Sequence, residues 1–245
     1  MKKSYNKWFL TKVKRAIRDF DMIHDGDKVA VSVSGGKDST TLLYVLDILR
    51  KYSHLAFDIH AITIDMGWGT DFTPLIEFCK ARDIPLHIEK TDISKIVFQH
   101  RKEKNPCSLC AKMRHGAVNT IAKKLGCVSV ALGHHADDAI ETLLMNMMLT
   151  ARMGCFMPKT YLNRKDIYLI RPMIYVFEST TSSIARTENL PVLESRCPAS
   201  GATKRQEIKE LIDYMEKIHP QARQKLLASM NNVDLQGLWM LAKRD

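Results

Sequence analysis

No stretch of this chain approaches the roughly 18 consecutive apolar residues that a membrane-crossing helix requires, so a membrane span is excluded. The opening run MKKSYNKWFLTKVKRAIRDFDMIHDGD lacks the apolar segment and small-residue cleavage site of a secretory signal, which makes the cytoplasm the expected compartment. Internal repeats and low-complexity segments are absent. Acid is scarce too: 27 Asp and Glu stand against 37 Lys and Arg, a formal charge of +10 that leans toward a polyanionic partner. The six cysteines are poor disulfide candidates in a reducing compartment, and only one Cys-x-x-Cys occurs among them. What is present is a chain with 45% hydrophobic and 26% charged residues, able to bury a core and too apolar for disorder.

The patterning predicts strands alternating with helices. A basic amphipathic helix over 1–20 carries Lys2, Lys3, Lys7, Lys12, Lys14, Arg15 and Arg18 before its first acid, Asp19. Strands are expected at 28–33, 57–64, 84–89, 128–132 and in IYLIRP, with helices at 38–51, 73–82, 107–125, 179–189, 203–218 and 221–230. Asp138 and Glu141 read as a capping box ahead of the apolar helix LLMNMML. That order argues an α/β fold with a parallel sheet covered on both faces.

The most informative stretch is Ser34-Gly35-Gly36-Lys37-Asp38-Ser39, between a strand and a helix. The glycines allow a sharp bend and close backbone approach, and the helix N-terminus offers unpaired N–H groups and a positive dipole end to a phosphate. Ser34 and Ser39 add hydroxyls and Lys37 a charge. The Walker pattern is not met, because G-x-x-x-x-G-K-[ST] is missing. Elsewhere Cys107-Ser108-Leu109-Cys110 opens a helix; by itself it fits a redox dithiol, half a zinc site or part of an iron–sulfur site.

SGGKDS after a hydrophobic strand resembles the signature of the PP-loop ATP pyrophosphatases. Together with DFDMIHDGDKVAVSV, CSLCAKMRHGAVNTIAKKLG and ALGHHADDAIETLLMNM, it resembles the tRNA 2-thiocytidine synthetase (TtcA) family over roughly residues 12–230. The resemblance implies a doubly wound parallel sheet of the adenine nucleotide alpha hydrolase type with helical N- and C-terminal extensions. The expected divisions are 1–25 (basic helix), 26–195 (ATPase domain with the CxxC insertion) and 196–245 (helical segment with a late cysteine). It further implies ATP and Mg²⁺ bound by Ser34, Gly35, Gly36, Lys37, Asp38, Ser39, Asp65, Gly133, His134, Asp138 and Arg171, with His135 and Asp137 beside them. Asp38 is the expected catalytic organiser of metal or phosphate.

The same resemblance implies that Cys197 joins Cys107 and Cys110 as catalytic ligands of a [4Fe-4S] cluster. Ser200 stands where many members have a further cysteine, so three protein thiolates are expected and one iron is left without one. Cys79, Cys127 and Cys155 read as structural. The implied activity is ATP-dependent thiolation of cytidine 32 in tRNA. The expected partners are tRNA and a sulfur donor (a cysteine desulfurase or sulfide), with a homodimer allowed. The N-terminal helix, Arg101, Lys102, Lys104, Lys112 and Arg114 are candidates for tRNA phosphates, and Trp8, Phe9 and Trp68 for base stacking. Rival readings are a lysidine synthetase-like or other PP-loop tRNA-modifying enzyme, a wobble-uridine thiolase, and a non-catalytic nucleotide-binding redox module.

Overall fold

The computed structural model describes residues 5–101, 106–194, 197 and 204–239. Expectations placed on Lys2, Lys3, Lys102, Lys104 and Ser200 lie outside these residues. A π-helical turn, Asn6–Leu10, runs into α1 (Thr11–Asp19). There follow β1 (Lys28–Ser32), α2 (Lys37–Tyr52), β2 (Asp58–Asp65), α3 (Thr73–Ala81) and β3 (Leu86–Lys90). The short α4 (Ile93–Lys95) continues into a second π turn at Ile96–His100. Next come α5 (Pro106–Lys124), β4 (Ser129–Ala131), α6 (Ala136–Thr150), β5 (Lys159–Leu162), β6 (Ile167–Ile170), α7 (Glu178–Thr187), α8 (Lys204–Ile218) and α9 (Ala222–Ser229).

Six strands form one sheet in the order β3-β2-β1-β4-β6-β5. β1 is central because Val29, Ala30 and Val31 are apolar on both faces and wholly buried. It pairs parallel with β2 (Val29 opposite Ile59) on one side and with β4 (Val29 opposite Ser129) on the other. The strand order therefore reverses between β1 and β4. Ligands bind beyond the C-terminal strand ends at such a switch point.

The packing explains α2. Every residue from Ser39 to Leu49 is buried, so the helix has no solvent stripe. Even Asp47 lies inside, its carboxylate held by Arg50 (2.9 Å), Lys51 (3.1 Å) and Arg82 (2.8 Å); a buried charge must be paired in this way. On the opposite side of the sheet, α5 contributes Val118, Ile121 and Ala122 to a core with Ile62, Ile64, Val130 and Ile167.

Three local expectations are corrected. β5 pairs antiparallel with β6, Tyr161 opposite Tyr168, adding an unexpected edge strand to the five parallel ones. The capping box does not form: α6 begins at Ala136, so Asp138 is already in its first turn. Phe9 is fully buried and unable to stack on a base, whereas Trp8 is only partly covered.

The chain divides into two compact units. The first comprises Met1–Ala136 and Met157–Gly201, and the second Asp137–Phe156 and Ala202–Asp245. Cys197 falls in the first unit with the sheet, and α6 from Asp137 onward in the second with the C-terminal helices. Ion pairs within the second unit give the reason: Arg205 reaches Asp138 at 2.7 Å and Glu141 at 3.4 Å, and Arg223 reaches Asp137 at 3.1 Å. No helix among the described residues is long and apolar enough to cross a membrane.

Candidate active site

The loop after β1 is shaped by its own short side chains. Ser39 Oγ accepts the Ser34 N–H (3.1 Å), lies 3.0 Å from Ser34 Oγ and donates to the Gly36 carbonyl (2.9 Å). Gly35 has φ +85° and packs so tightly against Leu193 that an added Cβ would sit 3.0 Å from its Cδ1. The backbone angle favours glycine there, and the Leu193 side chain would have to give way to any added Cβ. Gly36 is extended and precedes α2, whose first N–H groups carry no side-chain cap. An N-terminus left open in this way can receive an anion.

Lys37 does not stand alone. Its ammonium donates to Asp38 (2.9 Å) and to Glu178 of α7 (2.8 Å). Burial opposes its charge, but the hydrogen bonds to Glu178 and Asp38 prevail and hold its pKa above the ordinary lysine value. Asp38 also accepts from Thr181 Oγ1 at 2.7 Å and faces His135 Nε2 at 3.8 Å. Glu178 and Thr181 were not anticipated; they lie about 140 residues away in sequence, and no local pattern marks them.

Gly133 follows β4 and lies against the start of α2. A Cβ there would meet Ser39 N at 3.0 Å, with Asp38 C and Ser39 Cα at 3.1 Å. The two loops that flank the switch point are thus in backbone contact.

The remaining expected residues have defined places. Asp65 ends β2 and accepts the Gly67 N–H at 2.9 Å, which bends the following loop. Arg171 is buried and donates to His134 Nδ1 at 3.3 Å and to the Met157 carbonyl at 2.5 Å, so it fixes His134. Asp138, in the second unit, is engaged by Arg205. On α1, Arg15 and Arg18 pair with Asp19, while Lys12 lies over the Phe177 ring, so this face is partly satisfied internally.

The phosphate loop opens into a cavity of about 250 Å³. Ser34 and Gly36 line it together with Cys110, Arg114, Trp68 and Cys197. Cys107, at the start of α5, is exposed. Burial pushes the Cys110 thiol above its ordinary pKa, Arg114 pulls it back, and Cys197 and Cys107 push it up again. Cys110 therefore feels both of the other thiols. Among the described residues no three His, Cys, Asp or Glu side chains form a metal-binding group as they stand. Cys79 and Cys127, by contrast, are buried thiols pushed up to about 11, and both pack in apolar surroundings. Cys155 donates to the Ala139 carbonyl within the second unit.

A phosphate-receiving loop at the switch point of a parallel sheet, backed by a helix N-terminus, defines an α/β nucleotide-binding protein. The match to the PP-loop domain covers residues 6–214, and the chain belongs to that family. It is 37% identical over 225 residues to the tRNA-cytidine(32) 2-sulfurtransferase of Geobacter sulfurreducens, spanning 90% of this chain and 88% of that protein. The enzyme of the same name from Citrifermentans bemidjiense is 36% identical over 226 residues, with 91% and 89% covered. Among solved structures, the U34-tRNA thiolase NcsA from Methanococcus maripaludis with its [4Fe-4S] cluster superposes with a TM-score of 0.76 at 25% identity. That superposition covers 94% of this chain and 80% of that one.

Proposed function

We propose that this chain is an ATP-dependent tRNA sulfurtransferase, acting in the cytoplasm, that adenylates the C2 carbonyl oxygen of cytidine 32 and replaces it with sulfur. The observation that carries this reading is a cavity lined by both the phosphate loop and the thiols Cys110 and Cys197. The identity to cytidine(32) sulfurtransferases supports the choice of base.

In the first half-reaction the carbonyl oxygen attacks the α-phosphorus of ATP and pyrophosphate departs. Charge growing on the phosphate oxygens meets the N–H groups of the loop and the positive end of α2. Ser34 and Ser39 hydroxyls lie at the same bend, and the Lys37 ammonium is fixed there by Asp38 and Glu178. Donors held in place before the charge develops need no reorganisation when it appears. Asp38 is the loop carboxylate assigned to Mg²⁺ entering with the nucleotide.

In the second half-reaction a hydrosulfide, supplied as sulfide or released by a thiol reductant from the persulfide of a cysteine desulfurase, adds to C2. AMP leaves with the original oxygen and the sulfur proton passes to solvent. The balance is cytidine, ATP and hydrosulfide giving 2-thiocytidine, AMP and pyrophosphate. Arg114 lines the cavity and supplies a fixed positive charge to the adenylated base.

The chemistry of the donor set suits a [4Fe-4S] cluster: Cys110 and Cys197 line the cavity, and Cys107, three residues before Cys110 on α5, would add a third soft sulfur. When bound, such a cluster supplies a soft iron site for holding sulfur near the activated carbon. A homodimer is the candidate assembly. The test is nucleoside mass spectrometry of tRNA treated with anaerobically reconstituted protein, ATP and sulfide. The expected product is 2-thiocytidine. Thiolated uridine in its place, or no thiolation, would reject the assignment.

A further inference from the structure

Trp68 has no part in the chemistry described above. It occupies Gly67-Trp68-Gly69, directly after β2, and both flanking glycines have positive φ, +83° and +66°. An added Cβ at Gly67 would sit 3.3 Å from Ser94 Oγ and from the Thr91 carbonyl. The loop is therefore bent by two residues in conformations that side chains disfavour, with a large aromatic ring between them. The ring lines the cavity and is only half-buried, so it leaves surface for a ligand.

The ring has the thiol-bearing helix among its neighbours. Trp68 lies beside Phe98, with ring centroids 6.2 Å apart. It packs on the same core as Leu109, Cys110 and Met113, the residues of the thiol-bearing helix α5. The phosphate loop is built instead around Leu193 and the start of α2. A planar group on the indole would thus lie in the cavity that Cys110 and Cys197 also line. ATP supplies one planar base to this cavity and the tRNA loop a second, and only the second must meet both the phosphate and the sulfur.

We infer that Trp68 is the stacking platform for the target pyrimidine of the RNA substrate, an inference that rests on the tRNA sulfurtransferase reading. Single-stranded bases are held on aromatic faces in this manner, with little dependence on base identity. The platform fixes the plane of the base, and thereby the direction in which its C2 carbonyl points.

A binding cycle with the holoenzyme tests it. Labelled anticodon stem-loops carrying either cytidine or an abasic sugar at the target position are titrated into wild type, Trp68→Ala and Trp68→Phe. A non-hydrolysable ATP analogue is titrated separately. Trp68→Ala should weaken binding of the cytidine loop on the order of tenfold to a hundredfold. Binding of the abasic loop and of the ATP analogue should stay within about twofold, as expected when a substitution removes one pairwise interaction. Trp68→Phe should recover most of the loss, and in turnover the KM for tRNA should rise more than kcat falls. Equal weakening of both loops would overturn the platform, as would a loss confined to the ATP analogue, which would make the ring an adenine support. If wild type binds with the predicted cycle yet produces no thiolated nucleoside, the sulfur-transfer reading fails while the platform stands.

Discussion

Gly133→Ala inserts one methyl group where no neighbour can yield. The new Cβ would lie 3.0 Å from Ser39 N and 3.1 Å from both Asp38 C and Ser39 Cα, all of them backbone atoms at the first turn of α2. A flexible side chain would rotate away, but a helix start must translate. Overpacking of this kind costs about 1–3 kcal/mol. At roughly 2–4 °C per kcal/mol for a chain of this size, Tm should fall by about 2–12 °C. The functional loss should exceed the stability loss, because the displaced turn is the one proposed to receive phosphate. Relieving contacts of 3.0–3.1 Å needs a shift of a few tenths of an ångström, which is enough to lower the rate of a reaction that depends on positioned groups. Gly116→Ala is the matched control: nothing lies within 4 Å of its added Cβ in the helix α5. It should raise stability by roughly 0.5–1 kcal/mol through helix propensity alone and leave exchange unchanged. Thermal unfolding and tRNA-dependent ATP–pyrophosphate exchange on both variants read the two effects separately. A Gly133→Ala protein with wild-type Tm and wild-type exchange would refute the claim that contact between the two loops sets the phosphate site.

Three further outcomes are expected. Asp38→Ala removes the carboxylate that holds Lys37, accepts from Thr181 and faces His135. Pyrophosphate exchange should drop by about a hundredfold or more while the circular dichroism spectrum is retained; normal exchange would remove Asp38 from the mechanism. Cys197→Ala should lower bound iron and acid-labile sulfide after anaerobic reconstitution, whereas Cys79→Ala and Cys127→Ala should leave the iron-to-sulfide ratio unaltered. A full cluster in Cys197→Ala would exclude that ligand. Burial raises Glu141 from 4.5 to about 7, with Asp138 and Asp137 adding to the rise and Arg205 and Lys209 opposing it. The folded state therefore holds a proton that the unfolded state has lost between about pH 4.5 and 7. Stability should fall as pH rises through that window and level off above it. Thermal melts should show this slope flattened in Glu141→Gln, and an unchanged slope would assign it to another group.

The parts of this protein readable from sequence are those in which neighbouring residues carry the whole instruction. The apolar run Val29–Val31, the bend at Gly35-Gly36 and the helix that follows announce strand, turn and anion site within a dozen residues. The Cys107/Cys110 pair is equally local. What escaped is what depends on distance in sequence or on a weak local pattern. Glu178 and Thr181, which lock Lys37 and Asp38, reach the loop from α7 and have no spacing signature. β5 is four residues long, lies at the sheet edge and exposes Tyr161, so it shows no buried alternation. The turn that closes its hairpin uses Asp166 at φ 49° in place of the usual glycine. The Asp138/Glu141 pattern mimicked a capping box, but both carboxylates serve Arg205. Arg171 donates to His134 and to the Met157 carbonyl, contacts made across the fold that no local pattern announces.

The central claim is that the oxygen of the base is activated by the nucleotide held at Ser34–Ser39 and then leaves with it. The most direct measurement uses an anticodon stem-loop with oxygen-18 at the C2 carbonyl of the target cytidine, incubated anaerobically with holoenzyme, ATP and sulfide. Mass spectrometry of the released AMP should show the heavy oxygen in its phosphate, in step with the formation of 2-thiocytidine. Thiolated product accompanied by unlabelled AMP, or by label in pyrophosphate, would contradict adenylation at that oxygen.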